Sequence, residues 1–199
     1  PEEKVLRVDL INLIGVFNLR LKGGKTGFSG YATNVFLENL IIENNSGRGI
    51  WVGNSNLMLN DSTIQNNGDS GVTLSSSSFG ELKGSTFSNN GMRGISAHAS
   101  DVILKDVTVA NNTKEGIKLS NGSTLEVYED GVTIEGNGVN EADQDFRAGL
   151  RLSNGSSANV NLANITSNGT GILLEKNSSL EGGSGAADDD ALDYGISVT

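Results

Sequence analysis

One phrase recurs six times and limits what this chain can fold into more than any other feature. It is first visible as Leu37-x-x-Leu40-x-Ile42-x-x-Asn45-x-x-x-Gly49-Ile50-x-Val52. It returns from Leu59 to Leu74 and, with Phe87 in the third apolar slot, from Leu82 to Ala97. It returns again from Leu104 to Leu119, in stretched form from Val127 to Leu152, and last from Val160 to Leu174. Its anchors are Asn45, Asn67, Asn90, Asn112, Asn137 and Asn168, separated by 22, 23, 22, 25 and 31 residues. A period of this size marks a solenoid, in which a single unit cannot cover its apolar side and only stacking buries it.

The strand after each glycine runs Ile50-Trp51-Val52, Val72-Thr73-Leu74, Ile95-Ser96-Ala97, Ile117-Lys118-Leu119, Leu150-Arg151-Leu152 and Ile172-Leu173-Leu174. Alternation sends each flanking apolar pair inward and the middle residue outward. A polar turn follows, ending in Ser55, Ser77, Ser100, Ser123, Ser156 and Ser178, and the next strand opens with Leu57, Phe79, Val102, Leu125, Ala158 and Leu180. Leucine-rich repeats share the first half of the phrase, but they also want an apolar residue two places after the asparagine. Gly47, Asp69, Met92, Lys114, Val139 and Thr170 stand there, and the rest of each unit leaves no room for a helix. Coils built of short strands fit better.

With its Asn-x-x-x-Gly-Ile phrase and stacked turns, the chain resembles the right-handed parallel β-helix repeat family of the pectate-lyase-like superfamily over residues 34–199. The resemblance implies an all-β, right-handed parallel β-helix of about seven coils, the hand agreeing with the general preference for right-handed crossovers. Residues 1–33 are expected to form an N-terminal cap and first coil. There Leu6, Leu10, Leu13 and Ile14 fall at helical spacing, while Phe17, Leu19 and Leu21 alternate like a strand. Stacked about 4.8 Å apart, the six asparagines form a ladder in which each amide donates to the next. Their tolerance of left-handed backbone angles suits them to the corner.

Composition narrows the function classes. A net charge of -10 and a pI near 4.5 disfavour nucleic acid, whose phosphates call for a basic surface. There is no cysteine, hence no disulfide frame and no thiolate chemistry. The apolar run Leu10 to Phe17 is too short to span a bilayer. A chain that opens on Pro1 and closes on the strand-like Gly195-Ile196-Ser197-Val198-Thr199 reads as a processed or excised piece, with further β-helix coils or other domains as partners.

Two insertions break the repeat, at 138–148 and 181–194, and both precede a Gly-Ile strand, so both should project beside its outer face. Binding residues concentrate on such loops. The face itself offers Trp51, Thr73, Lys118 and Arg151 in one outward row, with Arg147 from the first loop, as contacts for a polysaccharide or cell-surface glycan. The loops offer Glu141, Asp143, Asp145, Asp188, Asp189, Asp190 and Asp193 as oxygen ligands for calcium, although without the spacing of a known calcium loop. The resemblance implies acidic-sugar chemistry by Ca²⁺-binding carboxylates and a basic residue, for which Lys118 and Arg151 are the positional candidates. No catalytic motif accompanies them, and the lone histidine, His98, reads as a polar turn residue. The expectation is therefore a secreted or cell-surface module that binds or scaffolds on polysaccharide. A polysaccharide lyase or epimerase and a structural segment of an adhesin or tailspike are the alternatives. Ice binding is set aside, because the outward row mixes Trp, Thr, Ser, Lys, Arg and Leu.

Overall fold

The computed structural model describes residues 3–10, 12–128, 131–182 and the strand Ile196–Val198. Each period gives one strand to each of three parallel sheets. Sheet A holds nine: Lys4–Asp9, Thr26–Tyr31, Ile50–Gly53, Val72–Ser75, Ile95–His98, Ile117–Ser120, Ala148–Ser153, Thr170–Leu174 and Ile196–Val198. Sheet B holds eight strands such as Asn56–Asn60, and sheet C seven such as Thr63–Gln65. Each strand pairs with those one coil before and after it, which makes the chain a right-handed parallel β-helix. Seven coils carry all three strands, and an eighth is described on sheets A and B. Within residues 1–33, the strands Lys4–Asp9, Ile14–Phe17 and Arg20–Lys22 pair with the second coil in unbroken parallel register. Leu6 lies opposite Phe28 there, so the segment is extended and its helical spacing goes unused.

The interior is a stack of aliphatic layers. In one coil Ile50, Val52, Leu57, Leu59 and Ile64 are all fully buried, each such side chain contributing about 1.5–3 kcal/mol. Coil four contains a register surprise. Gly80, not Phe79, pairs with Leu57 and Val102, so Phe79 is turned outward beside Asn56 and Asp101. An extra residue in the preceding turn causes the shift, with Ser76 and Ser77 both left-handed at φ 58° and 61°. Leu74 fills the space beneath Gly80, its Cδ2 lying 2.5 Å from where a Cβ would stand.

The asparagine ladder is continuous. The Nδ2 of Asn45, Asn67, Asn90, Asn112 and Asn137 donates to the Oδ1 of the next asparagine at 2.9, 3.1, 3.0, 2.9 and 2.9 Å. The same Oδ1 accepts the backbone N–H one coil earlier, from Gly24 N to Asn45 through Asn137 N to Asn168. The left-handed residue is not the ladder asparagine, however, but the one before it. Asn44, Asn66, Asn89 and Asn111 take φ between 53° and 55°, and Gly136 and Ser167 are left-handed in the same place in the later coils, at 63° and 53°. In each Asn-Asn pair the first residue turns the chain and the second bridges the coils. The glycine before each sheet A strand answers to the same ladder. A Cβ on Gly49 would lie 2.6 Å from the Gly71 carbonyl and 3.0 Å from the Asn67 amide, so close approach rather than a positive φ excludes a side chain there.

The other two corners carry serine ladders. Ser55, Ser78, Ser100 and Ser123 each accept the N–H one coil earlier at 3.1–3.2 Å and donate to a carbonyl of their own turn. Ser78 holds the slot that the sequence pattern gives to Ser77, displaced by the same extra residue. Ser62 and Ser85 repeat the device between sheets B and C.

Two substitutions separate the roles within one pair. Asn90→Ala leaves buried donors and acceptors unpaired on both sides, at about 1–3 kcal/mol for each group, so the expected loss is roughly 2–5 kcal/mol by denaturant unfolding. Asn89→Gly keeps a residue suited to positive φ and should stay within about 1 kcal/mol of the parent. Equal losses for the two variants would overturn this division of roles.

Candidate functional site

Strand register assembles the outward row of sheet A as Ser29, Trp51, Thr73, Ser96, Lys118, Arg151 and Leu173. Lys118 and Arg151 are therefore neighbours on consecutive coils. The insertion 138–148 leaves the corner after Asn137 and re-enters at Ala148–Ser153, beside the lower half of this row. Its one helical turn, Gln144–Phe146, is capped by Asp143, whose side chain accepts from Asp145 N at 3.0 Å. The centroid of the Phe146 ring lies 4.0 Å from Lys114 Nζ and 5.6 Å from the Arg151 guanidinium carbon, so two cations contact one aromatic ring.

Beneath the loop lies a charge network. Glu115 is fully buried and accepts from Arg93 Nε at 2.9 Å and Arg151 Nη1 at 3.2 Å. Arg151 also forks onto Glu175, Nε to Oε2 at 2.8 Å and Nη2 to Oε1 at 3.2 Å, and donates to the Asp145 carbonyl. Burial works against the Arg151 charge, but its hydrogen bonds to Glu175 and Glu115 outweigh that and push its pKa up. Arg151 thus ties three coils and the loop together. Lys118 differs: it is half-buried and makes no hydrogen bond or ion pair among the described residues. Loss of water around its ammonium, with Arg93 and Arg151 nearby, lowers its pKa against the partial pull of Glu115 and Glu175.

The remaining sequence candidates disperse. Trp51 and Thr73 are half-buried at the upper end of the row, three and two coils from Lys118. Arg147 bonds to Gln144 Oε1 at 3.2 Å and lies against Gly169. Glu141 accepts from Asp143 N at 3.2 Å and Asp143 caps the helical turn, so these carboxylates serve the loop itself. Among the described residues no three acidic or histidine side chains converge as a cation would require. Asp188, Asp189, Asp190 and Asp193 lie outside the described residues. His98 ends the strand Ile95–His98, exposed, with Nδ1 3.2 Å from Ser120 Oγ.

Sequence reasoning missed Arg93, Glu115, Glu175, Lys114 and Phe146. A signal was present. Arg93 and Glu115 each stand immediately before the repeat glycine, so opposite charges occupy the same phase of consecutive coils. Glu115→Ala would take the carboxylate from Arg93 and leave Arg151 with Glu175 alone of its two, a loss of roughly 3–5 kcal/mol. It should also raise hydrogen exchange at 144–147. Loss of stability with unchanged exchange in the loop would show that the network does not hold it.

Residues 26–184 match the model of a family described as a right handed beta helix region. No curated protein matches the sequence. Among solved structures, the chain is similar to the pectate lyase Pel9A at 14% identity, over 85% of this chain and 53% of that one, with a TM-score of 0.56. It is also similar to the periplasmic alginate epimerase AlgG, at 16% identity over 94% of this chain and 51% of that one, with a TM-score of 0.52. It spans about half the length of each. At such identities the likeness is one of fold. The chain belongs to the right-handed β-helix family, with the fold of the pectate-lyase-like proteins.

Proposed function

We propose that this β-helix is a polysaccharide-binding module, and that it holds an acidic sugar chain on the outer face of sheet A with Lys118 reading a carboxylate. The observation that carries this reading is the local balance of charge. Arg93, Lys118 and Arg151 face Glu115 and Glu175, three cations against two carboxylates, on a molecule whose net charge is -10. Both carboxylates are taken up by the two arginines, which leaves the ammonium of Lys118 with unused donors. Ser96 stands one coil above it to serve a sugar hydroxyl. The insertion walls one side, so a chain laid here is fixed laterally while its length follows the solenoid. The names of the two similar structures, a pectate lyase and an alginate epimerase, agree with an acidic polymer as ligand, and a module that holds such a polymer would work at the cell surface or beyond it.

A second reading is favoured by one feature. An amine whose pKa is lowered by burial and by neighbouring guanidiniums is suited to take a proton, as a lyase or epimerase acting on uronate would need. Ultraviolet absorbance of an unsaturated product, or proton exchange at the sugar ring, distinguishes turnover from binding.

The binding reading is tested by calorimetry on polygalacturonate, alginate and a neutral glucan. Lys118→Met should weaken binding of the acidic polymers about 10- to 100-fold, the worth of one charge-assisted hydrogen bond of roughly 1.5–3 kcal/mol, while any binding of the neutral polymer is unchanged. Because the Lys118 pKa lies below its ordinary value, affinity should fall on the alkaline side at a lower pH than a solvated lysine would give. Equal affinities for parent and variant would remove Lys118 from the site.

A further inference from the structure

The upper end of the same sheet carries a different surface. Trp51 and Tyr31 lie on adjacent coils with parallel rings, 4° between planes and 6.4 Å between centroids. That is too far for superposed faces at the van der Waals separation of about 3.5 Å, so the rings are offset, and Tyr31 is 45% exposed. Gly53 makes this arrangement possible. A Cβ there would stand 2.9 Å from Trp51 Cη2, 3.0 Å from Cζ2 and 3.2 Å from Tyr31 Cδ2. The indole therefore folds down over its own strand, where any side chain at 53 would displace both rings.

A shallow groove of about 340 Å³ begins at the residues that follow this pair. Its lining includes Ala32, Asn34, Asn54, Asn56 and Ser77, with no charged side chain among its residues. Two of its amides are already aligned in register. Asn56 Nδ2 donates to Asn34 Oδ1 at 2.8 Å, and Asn34 Nδ2 donates to the Asn12 carbonyl at 2.7 Å. This directional chain leaves Asn56 Oδ1 available as an acceptor. Offset aromatic faces beside a row of amides, without charge, provide stacking for the apolar face of a pyranose and hydrogen bonds for its hydroxyls.

We propose that Tyr31, Trp51 and the Asn34–Asn56 groove form a second carbohydrate subsite, for an uncharged pyranose. It stands apart from the cationic site around Lys118. In strand register Trp51 is three coils from Lys118, about 14 Å at the spacing of neighbouring strands. The two sites differ in chemistry: one reads a carboxylate, the other a neutral ring. The module would thus hold a heteropolymer, or two neighbouring glycans, at two points along its axis.

Trp51 is the only tryptophan in the chain, so its fluorescence reports on this subsite alone. The full chain is titrated with neutral cello-, xylo- and galacto-oligosaccharides and with oligogalacturonate. The expected result is a saturable change in Trp51 emission with at least one neutral oligosaccharide, retained in Lys118→Met. Asn56→Ala, an exposed position that should leave the fold intact, is expected to weaken that response at least fivefold. Gly53→Val should abolish it, with far-ultraviolet circular dichroism reporting on the fold. No emission change with any neutral sugar, a response confined to oligogalacturonate, or a response indifferent to Asn56→Ala would each overturn the proposal. None of these outcomes bears on carboxylate recognition, which depends on the Lys118 comparison.

Discussion

The structure depends on one repeated hydrogen bond, from an asparagine amide to the carbonyl oxygen of the asparagine one coil further on. That bond forms only if successive coils sit at strand spacing and in perfect register, so it transmits register along the solenoid. The oxygen has a second duty, accepting the backbone N–H of the preceding coil's ladder residue. A corner of a coil would otherwise bury unpaired backbone at every turn. The glycine column is part of the same solution, since the ladder amide and a neighbouring carbonyl occupy the volume a Cβ would need. Asparagine, glycine and the left-handed residue before the asparagine are thus one device repeated, not three preferences.

The serine ladders extend the principle to the other corners with a shorter side chain. A hydroxyl can accept from one coil and donate within its own turn, but it does not reach the next hydroxyl as an amide reaches the next amide. These corners are accordingly less strict. In the turn after the sheet A strands, coil four absorbs an extra residue with two left-handed serines. Between sheets B and C the ladder stops where Val107 fills the slot with an apolar side chain. The asparagine corner instead tolerates insertion only after its ladder residue, where the loop 138–148 emerges without breaking the bond from Asn137 to Asn168.

That loop gives the otherwise uniform scaffold its polarity. Near it, the outward face of sheet A has a buried carboxylate, two arginines committed to carboxylates and a lysine left over. Far from it, the same face has an aromatic pair lying over a glycine beside a groove of amides. A parallel sheet with a fixed strand spacing holds both surfaces on one line, so their order and separation are set by the solenoid axis. The resemblance to pectate lyase and alginate epimerase structures lies in this scaffold; the particular side chains on the face belong to this chain.

Much of this was legible before any coordinates. The period, the ladder residues, the inward aliphatic pairs and the adjacency of Lys118 and Arg151 follow from the phase of each residue within the repeat. A solenoid maps phase directly onto position, because equivalent residues must stack. What lay beyond the sequence was whatever depends on distance across phases or on a single residue of slippage. Gly80 replaced Phe79 inside, and Ser78 replaced Ser77 in its ladder, because one extra turn residue delays the start of the strand by one position, while Leu82 keeps its inward place opposite Leu59. Arg151 looked like a free cation until Glu115 and Glu175, at different phases of two other coils, were found holding it. The repeat alone determined the scaffold, since hydrogen bonding and burial admit one way to stack such units. Only the tertiary structure decided which charges are spent and which remain, because pairing depends on side chains that reach across coils and on a loop that obeys no period.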